Sequence, residues 1–184
     1  MSRTPAEIGA ALYSRAMRTM LETRRLLLRE MTEDDADHLL ALGQNPNVTR
    51  YIVGEPPLRT REQALAILRE RVFPQYASGL GRWACIVKSS GDFIGWCGVK
   101  HVPEDGEYDL GYRFLEQHWG QGYATEAASA VHDFARRELP GRRVVGKAML
   151  DNRASRRVLE KIGMVFEGEI EEEGCPLAVY VLVG

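Results

Sequence analysis

Residues 117–124 read Gln-His-Trp-Gly-Gln-Gly-Tyr-Ala and join a β-like run to an alanine-rich helical one. At such a turn the first N–H groups of the helix have no partner within it, and the helix dipole adds positive potential, so a phosphate is the natural ligand. Gly120 and Gly122 suit that use. Without Cβ atoms they accept unusual dihedrals and admit a bulky pyrophosphate close to the backbone. A Gln/Arg-x-x-Gly-x-Gly match arises by chance in roughly one chain in ten of this size. The turn alone therefore suggests anion binding and leaves an ordinary glycine-rich connection open. Two carboxylates, Glu107 and Asp109, share one face of the run that precedes it, where they could take up protons or simply face solvent.

Other constellations carry less. Residues 79–84, Gly-Leu-Gly-Arg-Trp-Ala, mimic a dinucleotide fingerprint but precede a strand where that motif must follow one. His38, His101, His118 and His132 lack ligand spacing, so no metal site is expected and each reads as a polar surface histidine. Cys85, Cys97 and Cys175 are odd in number and have neither zinc nor redox spacing. The acidic run 167–173 could attract a cationic amine, though such runs usually mark a solvated hairpin. Arg136, Arg137, Arg142 and Arg143 flank a helix end and could complement its dipole or bind phosphates.

The elements that must position these groups follow from periodicity. Glu107 to Phe114 alternates polar residues with Tyr108, Leu110, Tyr112 and Phe114, the clearest strand in the chain. Ala124, Ala127, Ala128, Val131, Phe134 and Ala135 recur at helical spacing, Pro140-Gly141 closes that helix, and a strand follows over 144–150. Strand, helix, strand in that order makes a crossover between parallel strands. Upstream, 83–87 and 93–99 are β-prone runs around a polar Ser-Ser-Gly-Asp turn, an antiparallel hairpin. Leu26 to Leu28 reads as a buried strand. Thr32 opens one helix and Thr60, with Gln63 three residues on, opens another through a capping box. A last helix runs from the Asn152 cap to Ile162, before two closing strands. Residues 1–20 form an amphipathic arm ahead of a single domain over 21–184; its apolar residues should pack on that domain or on a second subunit, as in a homodimer.

The 184 residues, 45% hydrophobic, suffice for one compact domain with a substantial core. A net charge of -2 gives no global attraction to nucleic acid or to an anionic membrane, leaving a small molecule or a protein surface as partner. No apolar run approaches the roughly 18 residues of a spanning helix, and 1–10 lack the pattern of a leader, so a soluble cytoplasmic protein is expected.

Leu110-Gly111-Tyr112 followed by Gln117-His118-Trp119-Gly120-Gln121-Gly122-Tyr123-Ala124-Thr125-Glu126-Ala127 resembles the cofactor motif of the GNAT acetyltransferases, in the RimJ/RimL-like branch of ribosomal-protein N-terminal acetyltransferases. Asn152, Ser155, Leu159, Glu160, Lys161, Gly163 and Met164 resemble that branch's second signature, and Leu21 to Arg29 its first strand, so the likeness covers about 21–184. It implies an α/β (α+β) fold, a mixed and mostly antiparallel sheet of about six or seven strands flanked by helices. The fourth and fifth strands, near 108–115 and 144–150, should splay apart so that pantetheine adds to the open edge.

The resemblance also implies roles. Acetyl-coenzyme A would be the cosubstrate, held by Gln117, Gly120, Gln121, Gly122, Tyr123 and Ala124 at its phosphates, bordered by Phe114 and Leu115, and met by Asn152 and Ser155. Asn152 reads equally as a plain helix cap. Acetyl transfer to an amine needs a base, an oxyanion donor and a proton for the thiolate. Asp109 is the first candidate base and Glu107 the second. Ser155 could protonate the thiolate or merely cap its helix, and His101 could lie near the acceptor. The expected activity is acetyl transfer to a primary amine, either a protein N-terminus or a small-molecule amine. The rival readings are a non-catalytic coenzyme A-binding or sensor module and a protein-interaction domain. The acceptor pocket should be built by 45–58 and the C-terminal hairpin.

Overall fold

A computed structural model describes residues 18–183 of the chain. An eight-stranded sheet forms in the order β1-β2-β3-β4-β5-β6-β8-β7. Its strands are β1 (Thr19–Glu22), β2 (Leu26–Arg29), β3 (Gly81–Val87), β4 (Phe93–Val102), β5 (Glu107–Phe114), β6 (Val144–Met149), β7 (Val165–Glu172) and β8 (Cys175–Val181). All neighbours are antiparallel except β5 and β6. The sheet therefore has one strand more than the six or seven expected. The extra one is β1, which takes Thr19 and Met20 out of the supposed arm and pairs Thr19 with Arg29 of β2, with an irregularity at Met20. The rest of that arm, residues 1–17, lies outside the described residues.

Two helical layers sandwich the sheet. On one face lie α1 (Ala36–Gln44), the short α2 (Pro46–Thr49) and α3 (Arg61–Ile67), which runs on through a π turn at Leu68–Val72 and a 3₁₀ segment at Phe73–Ser78. The start of α3 is the capping box read from the sequence: Thr60 Oγ accepts from the Gln63 N–H at 3.3 Å, and Gln63 Oε1 accepts from the Thr60 N–H at 3.3 Å. On the other face lie α4 (Tyr123–Glu138) and α5 (Arg153–Lys161).

Each layer has its own core. Leu110, Phe114, Trp83, Val99, Ala127, Ala128, Val131, Leu159 and Tyr180 cluster under α4 and α5. Ala36, Leu39, Leu42, Ala64, Leu68, Ala84 and Phe93 cluster under α1 and α3. The period of two in β5 decides which side chain faces which layer. Tyr108, Leu110, Tyr112 and Phe114 point to the α4 side, so Glu107, Asp109, Gly111 and Arg113 point to the α1–α3 side.

Candidate functional site

The β5–β6 ladder is short. Only Tyr108↔Val144 and Asp109↔Val145 are paired, although β5 continues beside β4 to Phe114 and β6 beside β8 to Met149. Beyond Asp109 the two strands diverge, leaving facing edges whose N–H and C=O groups have no strand partner. Such an edge can take an extended amide-bearing chain as an added strand.

The glycine turn stands at the top of this gap. After β5 the chain makes a 3₁₀ turn at Glu116–His118, tied back by the Trp119 indole N–H to the Phe114 carbonyl at 2.8 Å. Gly120 and Gly122 then sit at φ +72° and +80°, a left-handed conformation that only glycine adopts without strain. A Cβ added at Gly120 would meet no protein atom within 4 Å. No side chain caps α4, and among the described residues its first recorded backbone bond is from Glu126 N–H to the Gly122 carbonyl at 3.0 Å. Among the described residues the N–H groups ahead of Glu126 thus have no partner, at the positive end of a 16-residue helix. A diphosphate linked to an extended pantetheine arm fits both features.

A tether not foreseen from sequence fixes the turn. Glu126, in the first turn of α4, accepts from Thr23 Oγ at 2.6 Å, the Arg25 N–H at 2.7 Å and Arg25 Nε at 2.6 Å. Burial disfavours the charged Glu126, but these three donors outweigh it and hold the carboxyl below its ordinary range. The Arg25 guanidinium also donates to the Gln121 carbonyl at 3.0 Å and stacks on the Tyr123 ring at 4.3 Å. Its Nη2 lies 3.5 Å from where a Gly122 Cβ would be, so a cation borders the proposed anion site. The only local hint was Arg25 in the first-strand stretch, 101 residues from its partner.

Across the gap, where the chain leaves β6, α5 presents Asn152 and Ser155. Asn152 Oδ1 caps the helix by accepting from the Ser155 N–H at 3.1 Å. Ser155 Oγ lies 2.9 Å from the Tyr112 hydroxyl, which also donates to the Ser155 carbonyl at 2.9 Å. Tyr112 and Ser155 together span from β5 to α5 across the divergence. Burial pushes the Tyr112 phenol far above its ordinary range, so it remains a neutral hydrogen-bond donor.

The face opposite α4 is polar and cationic. Arg82 from β3 lies flat across it because Gly98 and Gly111 face each other there: a Cβ on Gly111 would fall 2.8 Å from Arg82 Nη2. The Arg82 guanidinium donates to the Gly98 carbonyl at 2.6 Å and the Asp109 carbonyl at 2.9 Å, and forms an ion pair with Asp109 Oδ2. Asp109 is thus on the expected face but already bonded through one oxygen. Glu107 is pulled aside by Arg143 at 2.6 Å, which also pairs with Glu167 and so serves the hairpin rather than a phosphate. His101 sits on the other face, opposite Tyr108 and tilted against its ring at 4.9 Å, so strand alternation takes it away from Asp109. His132, within α4, is buried rather than a surface residue, 7% exposed. Phe114 is buried in the α4 core, and Leu115 is partly buried on the α1–α3 side.

Loop 50–60 closes over this polar face. Asn45 and Asn47 donate to Glu116 at 3.0 and 2.8 Å, Glu55 pairs with Arg113 at 3.0 Å, and Gly54 abuts the Glu173 carboxylate in the β7–β8 turn. The two segments expected to build the acceptor pocket therefore meet above the same strand. Among the described residues no group of His, Cys, Asp or Glu could hold a metal, and no helix is long and apolar enough to cross a membrane.

Known proteins resemble this chain in sequence and in fold. Residues 25–165 match the family described as "Acetyltransferase (GNAT) domain". The chain is 37% identical to the uncharacterized protein YkkB of Bacillus subtilis over 89% of this chain and 95% of that one. It is 31% identical to the uncharacterized N-acetyltransferase YoaA of the same organism over 83% and 86%. Its fold superposes on RimL, the ribosomal L7/L12 alpha-N-protein acetyltransferase solved with coenzyme A, with a TM-score of 0.76 at 18% identity, covering 89% of this chain and 97% of that one.

Proposed function

Because the chain belongs to the GNAT family of acetyltransferases, we propose that it moves the acetyl group of acetyl-coenzyme A to a primary amine, a protein N-terminus or a small molecule. One observation carries the reading. The Gly120-Gln121-Gly122 turn, with both glycines left-handed, brings the first N–H groups of α4, which have no partner among the described residues, to the mouth of the β5–β6 divergence, an anion cradle joined to an open strand edge. RimL, similar in fold, was solved with coenzyme A.

When bound, acetyl-coenzyme A supplies the activated thioester; the remaining chemistry falls to this chain. Gln117, Gly120, Gln121, Gly122, Tyr123 and Ala124 hold the phosphates, with Phe114 and Leu115 beside the arm. Asn152 keeps the start of α5 in place and so orients Ser155. Asp109 accepts the proton of the acceptor amine, directly or through water, at Oδ1, because Oδ2 belongs to Arg82. Glu107 ranks second because Arg143 holds it. Ser155 Oγ, held beside the Tyr112 hydroxyl, offers a proton to the departing thiolate and takes one back from water. A thiolate leaves readily near neutral pH, so positioning and the N–H donors of the open β5 edge contribute most of the acceleration.

The test is thiol release from acetyl-coenzyme A against peptides, polyamines, aminoglycosides and amino acids, with product masses checked. Tight coenzyme A binding without thiol release from any acceptor would favour a non-catalytic coenzyme A-binding module.

A further inference from the structure

Trp96 on β4 pairs with Arg113 on β5, and the guanidinium groups of Arg113 and Arg82 lie 5.3 and 5.0 Å from its ring. Both cations are largely out of water, with side chains 17% and 11% exposed. The indole face favours them electrostatically, yet two guanidinium groups on one ring also repel each other. Burial, reinforced by Arg82, pulls the Arg113 charge below its ordinary pKa, and only Glu55 opposes this.

The two arginines are neutralised differently. Arg82 is paired with Asp109, a residue of the sheet itself. Arg113 depends on Glu55, which comes from the irregular loop above, is 44% exposed and is shared with Arg71 at 3.8 Å. Glu55 reaches Arg113 through one hydrogen bond at 3.0 Å, whereas a bidentate carboxylate on a desolvated arginine is among the stronger polar contacts.

We infer that the acceptor amine carries its own carboxylate, which takes the place of Glu55 on Arg113. This rests on the acetyltransferase reading above and names the substrate class within it. A purely cationic amine offers Arg113 nothing in place of Glu55. A zwitterion presents its anion to Arg113 and its ammonium toward Asp109, four residues away on the same strand face, about 13 Å between Cα atoms before side-chain reach shortens the gap. The carboxylate could belong to a free amino acid or to an acidic residue near the start of a peptide.

The experiment pairs each acid with its carboxamide. Free amino acids of increasing amine–carboxylate spacing form one arm, and C-terminally amidated peptides beginning Ser-Glu or Ser-Gln form the other. Thiol release and product mass are read for the wild type, Arg113→Gln and Glu55→Gln. In whichever arm is accepted, the acid should exceed its amide about tenfold or more in kcat/KM, matching one charge-assisted bidentate contact. Arg113→Gln should erase that ratio, and Glu55→Gln, which leaves the floor intact, should lower KM for the acid severalfold and leave the amide unchanged. Equal use of acids and amides by the wild type, or a ratio that survives Arg113→Gln, overturns the inference while acetyl transfer stands. Should no acceptor release thiol, calorimetry of the coenzyme A-loaded protein with the same acids decides. Acids binding more tightly than amides support the site, and acids that do not bind refute it.

Discussion

Replacing Gly120 with alanine should separate a backbone cost from a ligand cost. Gly120 has φ +72°, and an added Cβ would meet nothing within 4 Å. The substitution therefore creates no clash inside the protein; its intrinsic penalty is that of an L-residue held left-handed, about 1–2 kcal/mol. At this size each kcal/mol lowers Tm by about 2–4 °C. Gly141 supplies the control, with φ +70° and equally open surroundings, but at the far end of α4. Sixteen residues at about 1.5 Å each put roughly 24 Å between the two sites. Both alanine variants should lose similar stability. Only Gly120→Ala should weaken coenzyme A, because its methyl group fills the space over the turn and displaces a phosphate oxygen from at least one amide. One such charge-assisted bond is worth about 2 kcal/mol, or roughly 30-fold in Kd. Calorimetric titration of both variants, with melting curves recorded beside them, reads the two effects separately. Equal coenzyme A affinity in Gly120→Ala and Gly141→Ala would refute the placement of the phosphates on this turn.

Asp109→Asn should lower turnover by roughly 10² at neutral pH and by less as the acceptor amine deprotonates toward pH 10; a pH-independent loss in the rate profile would leave Asp109 only the task of neutralising Arg82. The same substitution leaves a mostly buried guanidinium without its counter-ion, so Tm should fall as well, and Arg82→Gln in the Asp109→Asn background should recover part of it. Glu126 is held below its ordinary range and so stabilises the fold above about pH 4.3, a contribution lost as pH falls through the lower folded value; Glu126→Gln should flatten that acid limb of the melting curve, and an unchanged limb would count against the Thr23–Arg25 tether. Burial pushes the Cys97 thiol up to about 12 and Cys85 well above its ordinary value, so iodoacetamide at pH 8 should label Cys175 alone; peptide mass spectra showing native-state labelling at Cys85 or Cys97 would contradict their burial.

Features written in short stretches of chain were legible in the sequence. The Thr60–Gln63 capping box, the alternation of β5 and the left-handed glycines at the head of α4 each depend on neighbours within a turn or a strand, and each stands where its residue types require. The strand beside β2 was missed because Thr19 to Glu22 carries no clear period and gains its place by pairing. Long-range partners were invisible for the same reason. Nothing near Glu126 announces Arg25, and nothing near Arg113 announces Glu55, because each pair is made by the packing of elements distant in the chain.

Asp109 shows what that limit means for chemistry. Its spacing placed it on the right face of β5, and the register of β3 on β4 on β5 then brought Arg82 across two glycines to its side. A carboxylate with both oxygens free and one with an oxygen committed to arginine differ in how many protons and waters they can serve, yet they are spelled identically in the sequence. The commitment leaves Oδ1 as the atom through which any base catalysis by Asp109 must pass. It also leaves Arg113, unlike Arg82, with a counter-ion that comes from outside the sheet, the partly exposed Glu55. An acceptor carboxylate can take that place while its ammonium faces Asp109, which is why the identity of the amine should be sought through its carboxylate.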